Sequence, residues 1–522
     1  MSNQRRRWLA WVVVAGLLGL GAFLRFHQIK QQSQWPDEFW SVYLSTGRGG
    51  EIFHLPTGKL LDPPPKAMLE GAPAWPHIWT SMVNAVHPPV YHIVLRWWMD
   101  VAGESDTATR GLSALLSLAG VVILFDAVRR SVGIGAGLAA AAMMTLAVSQ
   151  IDLSQQTRSY TLLALWGLIA CHAMVRIEID GARLSSLIEL VIAVFAALLT
   201  HYLAGGALVG LGIYALIRLR GPDRRKTVGA MVLAALLAAG AWGPWLWRQR
   251  PLLSSDYSWM MEDQAGRDLP LQRALSVPAL HLYGHCSTLA AVAVAIVVYL
   301  LPILLIRQSP QRLLWWLLTV GMVASTAVRD ATAHTLLNAF PRYTFIAAPA
   351  ICALAALPLP FQSWRGWRRW LLSAAMVLSV AVAAAMRVQE GPPDYGDWRG
   401  FCRQIDRLAG ERDPIIFSPN PYWGSPAFWY LALAHYVPDS RRPIMMLDMP
   451  AEAAALRQLA GYRQIWLIGA IGLPPSHWLP GWTPQGIVVG AAQVGYLQRM
   501  VPATSAPISP APSPPATQSR AP

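Results

Sequence analysis

Charge is what this chain of 522 residues has least of. Asp, Glu, Lys and Arg make up 13% of it, against roughly 25% in an ordinary soluble domain. So few charges cannot cover a globule of this size, which excludes a soluble enzyme and equally a disordered or fibrous chain. Cysteine is scarce too: Cys171, Cys286, Cys352 and Cys402 form no CxxC pair and no Cys/His spacing. A Cys286–Cys402 bridge on the outer face is conceivable but nothing in the sequence supports it, and the cysteine arithmetic is uninformative. Cys171 and Cys352 fall inside apolar runs, where a thiol acts as a small hydrophobe. Acidic residues are outnumbered, 28 against 42 basic ones, for a formal charge of +14. A basic balance can mark a nucleic-acid binder. Here, however, the arginines stand in small clusters between apolar runs, as in cytoplasmic loops, and no nucleic-acid partner is expected. No internal repeat is visible, so the inverted-repeat signature of many transporters is missing.

What the chain has in abundance is apolar sequence, 54% of residues with a mean hydropathy of +0.36. The solvent that suits it is a lipid bilayer. Arg5, Arg6 and Arg7 precede a first run from Trp8 to about Phe26. The end of this run lacks the small-residue pattern of a signal-peptidase site, so it reads as an uncleaved span starting in the cytoplasm. Further spans are expected at about 108–128, 132–149, 159–175, 184–200, 203–217, 227–247, 287–306, 312–328, 343–359 and 369–386. The segment 88–103 is apolar enough to count, yet His92, Arg96 and Asp100 recur every fourth residue and share one helix face. That suits a helix lying in the interface. It also leaves Arg129/Arg130, Arg176/Arg183, the Arg218–Lys226 cluster, Arg307/Arg312 and Arg365/Arg368/Arg369 on the inner side, as the positive-inside rule requires. The expected fold is an α-helical polytopic membrane protein with about eleven transmembrane helices.

Three long segments then share the outer face: 27–107, 248–286 and 387–522. Residues 1–386 read as the membrane domain, with 27–107 as its first outer loop. Residues 387–500 regain soluble character: β-like runs at Pro414–Ser418, Pro443–Leu447 and Gln464–Ile468 alternate with helix-like stretches near 398–409 and 451–460. This predicts a small α/β extracytoplasmic domain. Residues 501–522 read as a disordered tail, since seven prolines in the 21 residues from Pro502 leave no core to bury. Many of the 24 tryptophans, such as Trp8, Trp242, Trp245, Trp247, Trp364 and Trp367, suit interfacial belts at span ends.

Five short stretches carry chemistry. Asp37 and Glu38 stand just past the first membrane exit between Trp35 and Trp40. They read either as a solvated acidic turn or as carboxylates held where water is scarce and able to take a proton. His87-Pro88-Pro89 opens the interfacial helix, with His92 one turn on; prolines are tolerated at a helix start, and its N-terminus favours an anion. Ser154-Gln155-Gln156-Thr157-Arg158-Ser159-Tyr160 links two spans on the outer side, where an arginine either binds phosphate or snorkels. Thr200-His201-Tyr202 forms another outer turn, and His334 lies before Pro341-Arg342-Tyr343. All five fall on one membrane face in a topology set independently by arginines.

In this order the motifs resemble those of the GT-C glycosyltransferases of the protein O-mannosyltransferase and lipid A aminoarabinose transferase type (glycosyltransferase family 39/83 type), from residue 1 to about 386. Asp397-Trp398-Arg399-Gly400 also resembles the start of the outer C-terminal domain in bacterial members. One position departs: family members often carry an acidic residue where this chain has Gln156, and Asp152 upstream is the candidate substitute.

The resemblance implies an enzyme of the inner (plasma) membrane, N-terminus cytoplasmic and C-terminal domain periplasmic. It would move a sugar from a polyprenyl-phosphate donor to a protein, lipid or glycan acceptor on the outer face. It leaves metal dependence open and names no cofactor beyond the donor. The leaving phosphate needs no general acid, so the chemistry asks for a base on the acceptor hydroxyl and cations for the phosphate. Asp37 is the expected base with Glu38 as its partner. Arg158, Arg342 and Tyr343 are expected to hold the phosphate. Trp35, Trp40, His87, His201, Tyr202 and Tyr160 are candidate substrate contacts, and the loop with Trp259, Glu262 and Asp263 is a candidate cover. The rival readings are a lipid-linked sugar transporter or flippase, with Asp126 and His172 as its in-span ionisable groups, an oligosaccharide polymerase or ligase, and a non-catalytic membrane scaffold.

Overall fold

The computed structural model describes residues 3–82, 85, 87–255, 269–285, 287–357, 359, 366–419, 425–469, 475–491 and 495–503. Cys286, the loop with Trp259, Glu262 and Asp263, and the chain beyond 503 lie outside the described residues. The chain divides into two compact units. One comprises Met1–Gln31, Gly47–Gly49 and Pro73–Pro393; the other comprises Gln32–Thr46, Gly50–Ala72 and Asp394–Pro522. The first outer loop, expected as one appendage of the membrane domain, is thus shared between them.

The first unit is helical. A helix coincides with every expected span: Asn3–Phe26, Asp106–Ser131, Ile134–Leu146, Tyr160–Asp180, Leu184–Leu198, Ala204–Arg218, Gly221–Ser255, Thr288–Leu304, Arg312–Ala333, Pro341–Ala356 and Leu371–Glu390. Among the described residues, five helices are long and apolar enough to cross a bilayer alone, or up to seven if each of two bent pairs is one span. Leu184–Leu198 and Ala204–Arg218 have 15 residues each, rising only about 22 Å where the hydrocarbon is roughly 30 Å thick.

A further helix, Pro270–Tyr283, lies in what reads from sequence as outer loop. Its Val277, Ala279 and Leu282 are buried in the main core. Pro278 inside it lacks an N–H and frees the carbonyl of Ala274, and the Tyr299 hydroxyl donates to that carbonyl at 3.0 Å. Pro270–Tyr283 meets Thr288–Leu304 at 95°. The expected interfacial helix forms as Val90–Ala102, with His92 and Arg96 buried on one face and Arg96 Nε 2.9 Å from Asp100 Oδ1.

Two features lock the bundle. A Cβ on Gly210 would stand 2.1 Å from the Leu317 carbonyl oxygen, and one on Gly321 2.5 Å from that of Gly206. Glycine alone lets Ala204–Arg218 and Arg312–Ala333 approach this closely. Arg25, fully buried, donates to the carbonyls of Met144 (3.1 Å) and Thr145 (3.2 Å) and to Ser117 Oγ (2.9 Å). Those carbonyls end Ile134–Leu146, where the chain bends by 55° into Val148–Ser154. In return, Gln155 Nε2 donates to the carbonyls of Leu24 (3.1 Å), Arg25 (3.2 Å) and His27 (2.9 Å) at the end of the first helix. Each chain end thus satisfies carbonyls the other leaves open.

Elsewhere in this unit, His172 bonds Asp126 at 3.0 Å and Glu189 at 2.5 Å, and Arg176 bonds Glu189 at 2.5 Å. The ionisable groups a transporter would string along a path are here paired with one another.

The second unit is built on a six-stranded sheet of order β1-β3-β2-β4-β6-β5. Its strands are β1 (Leu60–Leu61), β2 (Ile415–Phe417), β3 (Ile444–Met446), β4 (Ile465–Gly469), β5 (Trp482–Ala491) and β6 (Gly495–Pro502). β2 runs parallel to β3 and β4; β1, β5 and β6 pair antiparallel. The three β-like runs expected from sequence are β2, β3 and β4, while the β5–β6 hairpin and the contribution of β1 were not legible there. The last strand reaches Pro502, so regular structure extends past the expected tail boundary at 501. Side chains alternate as a pleat dictates. Ile415, Phe417, Ile444 and Met446 face a core shared with helices Pro36–Ser45, Trp398–Leu408 and Ala427–Tyr436. Ile416, Met445, Ile465 and Leu467 face a second core with Ala453–Leu459. Cys402 is buried as a free thiol.

Candidate active site

The acid pair belongs to the second unit. Pro36–Ser45 is a helix because Pro36 sits at its first position, where a missing N–H costs nothing. Phe39 and Tyr43, one turn apart, enter the core over the sheet. Glu38 is fully buried and its Oε2 accepts the Trp35 backbone N–H at 3.3 Å, closing the helix's own N-terminus. Asp37 is half-buried in the same first turn. Trp35 is 2% exposed and stacks on Tyr395 with centroids 4.7 Å apart. Trp40 packs edge-on to Phe53 at 4.5 Å. Both rings proposed from sequence as substrate contacts are therefore part of this unit's packing.

The segment ahead of Asp37 is anchored by the Asp397-Trp398-Arg399-Gly400 stretch. Asp397 caps its helix by accepting the Gly400 N–H at 2.8 Å. A Cβ on Gly400 would stand 2.0 Å from Asp397 Oδ2. Trp398 is buried and its N–H donates to Ser33 Oγ at 2.9 Å; Arg399 donates to the Gln32 carbonyl at 3.1 Å. The Tyr436 hydroxyl accepts the Gln34 N–H at 2.6 Å. Each residue of this motif thus acts on the fold, and through it on where Asp37 stands.

The first unit gathers the remaining motifs. His87 lies 6.3 Å, ring to ring, from His92 and 6.2 Å from His201. His201 lies 6.1 Å from Tyr160, and Arg158 sits over the Tyr160 ring at 5.6 Å. The Val90 N–H donates to the Leu199 carbonyl at 3.1 Å, tying the start of the Val90 helix to the turn that carries His201. Burial first, then the charge of Arg158, holds the His201 ring down to about 4. The same causes, with His201 and His92 adding, hold His87 well below the usual histidine range. The Leu203 N–H donates to His201 Nδ1 at 3.2 Å, which places the ring proton on Nε2. Both imidazoles are neutral near pH 7, and Arg158 supplies the positive charge among them.

The Tyr202 hydroxyl donates to Gln249 Oε1 at 2.7 Å and accepts from Trp242 at 2.9 Å. Arg342 lies over the rings of Tyr343 (5.0 Å) and Phe340 (5.2 Å) in the short helix Pro341–Thr344. That helix is joined to the Arg158 turn through one cluster in which Phe345 packs with Leu153, Tyr160 and Ala164. Asp152, the candidate substitute for the missing acid, is engaged in an ion pair with Arg387. Among the described residues no group of three or more His, Cys, Asp or Glu could hold a metal ion. Sequence reasoning missed His281: fully buried, it bonds Ser149 Oγ at 3.0 Å and Thr344 Oγ1 at 2.9 Å.

A bundle of apolar helices joined in one chain to a small sheet of largely C-terminal sequence is the fold of the GT-C membrane glycosyltransferases, and comparison with solved structures shows the likeness. ArnT from Cupriavidus metallidurans in the apo state matches with a TM-score of 0.56 at 12% identity, over 95% of this chain and 98% of that one. The same protein bound to undecaprenyl phosphate matches with a TM-score of 0.54 at 13% identity and the same coverage. In sequence, residues 86–247 match the profile of the dolichyl-phosphate-mannose-protein mannosyltransferase family. That stretch holds His87, Arg158, Tyr160 and His201, and it bears out the resemblance read from the motifs. Comparison with curated proteins returns no match.

Proposed function

We propose that this multi-pass membrane protein is a glycosyltransferase. It transfers a sugar from a polyprenyl-phosphate carrier to a protein, lipid or glycan acceptor on the outer, periplasmic face of the inner (plasma) membrane. The observation that carries the reading is the cluster of Arg158, Tyr160, His87 and His201 inside the family-matched stretch. ArnT, the fold match, was solved with undecaprenyl phosphate, which makes that lipid the first carrier to test.

In the reaction the acceptor oxygen attacks the anomeric carbon. The bond from that carbon to the phosphate oxygen breaks, and its electron pair leaves with the phosphate. The acceptor proton passes to Asp37, half-buried in the first turn of its helix. Arg158 and Arg342 hold the phosphate through planar forks of donors, with Tyr343 alongside. With His87 and His201 neutral, the imidazoles offer hydrogen bonds without adding charge. Purified protein incubated with a radiolabelled polyprenyl-phosphate sugar and cell-envelope acceptors tests this. Transfer of label supports the proposal; translocation without transfer, or neither, rejects it in favour of a flippase or a scaffold.

A further inference from the structure

We infer that His281 is a positioning residue for the phosphate-binding arginines, an inference that rests on the function proposed above. His281 lies on Pro270–Tyr283, a helix whose path is fixed by the Tyr299 hydroxyl on the carbonyl that Pro278 frees. Its two ring nitrogens reach two hydroxyls and no carboxylate: Ser149 Oγ at 3.0 Å and Thr344 Oγ1 at 2.9 Å. Ser149 belongs to the first turn of Val148–Ser154, the helix that runs into the Arg158 turn. Thr344 closes the short helix that carries Arg342 and Tyr343. All three side chains are buried, so neither hydroxyl has water as an alternative partner. The Phe345 ring stands 6.0 Å from the imidazole and packs in turn with Tyr160. One imidazole thereby sets the spacing between the two stretches whose arginines are assigned to the donor phosphate. A hydrophobe there would fill the volume without fixing it.

The two nitrogens make the inference separable. An amide at position 281 imitates one nitrogen at a time: His281→Gln places its nitrogen near Nε2, facing Thr344, and His281→Asn reproduces Nδ1, facing Ser149. Full-length protein in detergent is titrated with undecaprenyl phosphate and followed by tryptophan fluorescence, with the melting temperature recorded for each variant. His281→Ala is expected to weaken binding about tenfold, as is Thr344→Val, which removes only the hydroxyl. Since each amide keeps only one of the two bonds, His281→Gln and His281→Asn are each expected to restore only part of the affinity, with the KM for acceptor unmoved throughout. Parental affinity in folded His281→Ala or Thr344→Val would overturn the inference, as would full affinity in either the Gln or the Asn variant. If Arg158→Ala and Arg342→Ala also bind like the parent, the proposed function fails instead; if they lose affinity while Thr344→Val keeps it, only the role of His281 fails.

Discussion

The neutral state of His201 makes the protein acid-sensitive in a calculable way. Its ring is held to about 4 against an ordinary 6.5, and each pH unit of difference is worth about 1.36 kcal/mol. Above pH 6.5 neither the folded nor the unfolded state is protonated there, and the residue adds no pH dependence. As pH falls from 6.5 to about 4 the unfolded chain takes up a proton that the folded one refuses, so stability declines. Below about 4 both states are protonated and the decline stops. His201 alone accounts for a loss of up to about 3 kcal/mol across that window, and His87 adds in the same direction. His201→Asn keeps an acceptor for the Leu203 N–H and removes the titration. Melting curves of detergent-purified parent and variant, recorded from pH 8 to 4, should run parallel above pH 7. They should diverge below 6.5, with the variant losing less. Arg158→Gln removes the neighbouring positive charge that adds to the effect of burial and should narrow the window from its acid end. Profiles of parent and His201→Asn that stay parallel down to pH 4 would refute the assignment of a neutral imidazole.

The same geometry sets three further outcomes. Gly210→Ala drives a methyl into the Leu317 carbonyl and should destabilise the bundle by about 1–3 kcal/mol. Gly205→Ala, which meets nothing within 4 Å, should be neutral or stabilise by up to about 1 kcal/mol; comparing their melting temperatures checks both. Gln155→Leu strips the carbonyls of Leu24, Arg25 and His27 of a shared donor. It should lower stability by about 1–3 kcal/mol while Arg25→Lys, which lacks the planar fork, costs a similar amount. Arg342→Ala should weaken binding of undecaprenyl phosphate by about tenfold or more, with Arg342→Lys only partly restoring it, in the same titration.

Much of the architecture was legible because its cause is local. Long apolar runs between arginine clusters coincide with helices, and the short apolar runs at 415–417, 444–446 and 465–469 are the sheet's centre. The helix Pro270–Tyr283 was hidden because Arg273, His281 and two prolines break its apolar pattern, and its burial comes from tertiary partners. The β5–β6 hairpin was hidden by Pro484 and Gly486, residues that weaken a strand signal and here sit at an irregular register. β1 joins strands nearly 400 residues later, a pairing with no local signature. At the site, the stretches read from residue type that carry His87, Arg158, Tyr160 and His201 lie beside one another in the first unit. Residue type set Asp37 as the base with Glu38 as its partner but did not show that Glu38 closes the helix, which the backbone N–H of Trp35 reveals. Nor did it reveal that Trp35 is stacked on Tyr395 or that Tyr202 is tied to Gln249.

The most direct test of the account compares sugar transfer by Asp37→Asn and Glu38→Gln, each with its affinity for undecaprenyl phosphate measured alongside. Asp37→Asn should cut turnover by roughly 10²–10⁴-fold at unchanged carrier affinity. Glu38→Gln keeps an oxygen for the Trp35 N–H and should retain most of the turnover. Full transfer by Asp37→Asn would contradict the account.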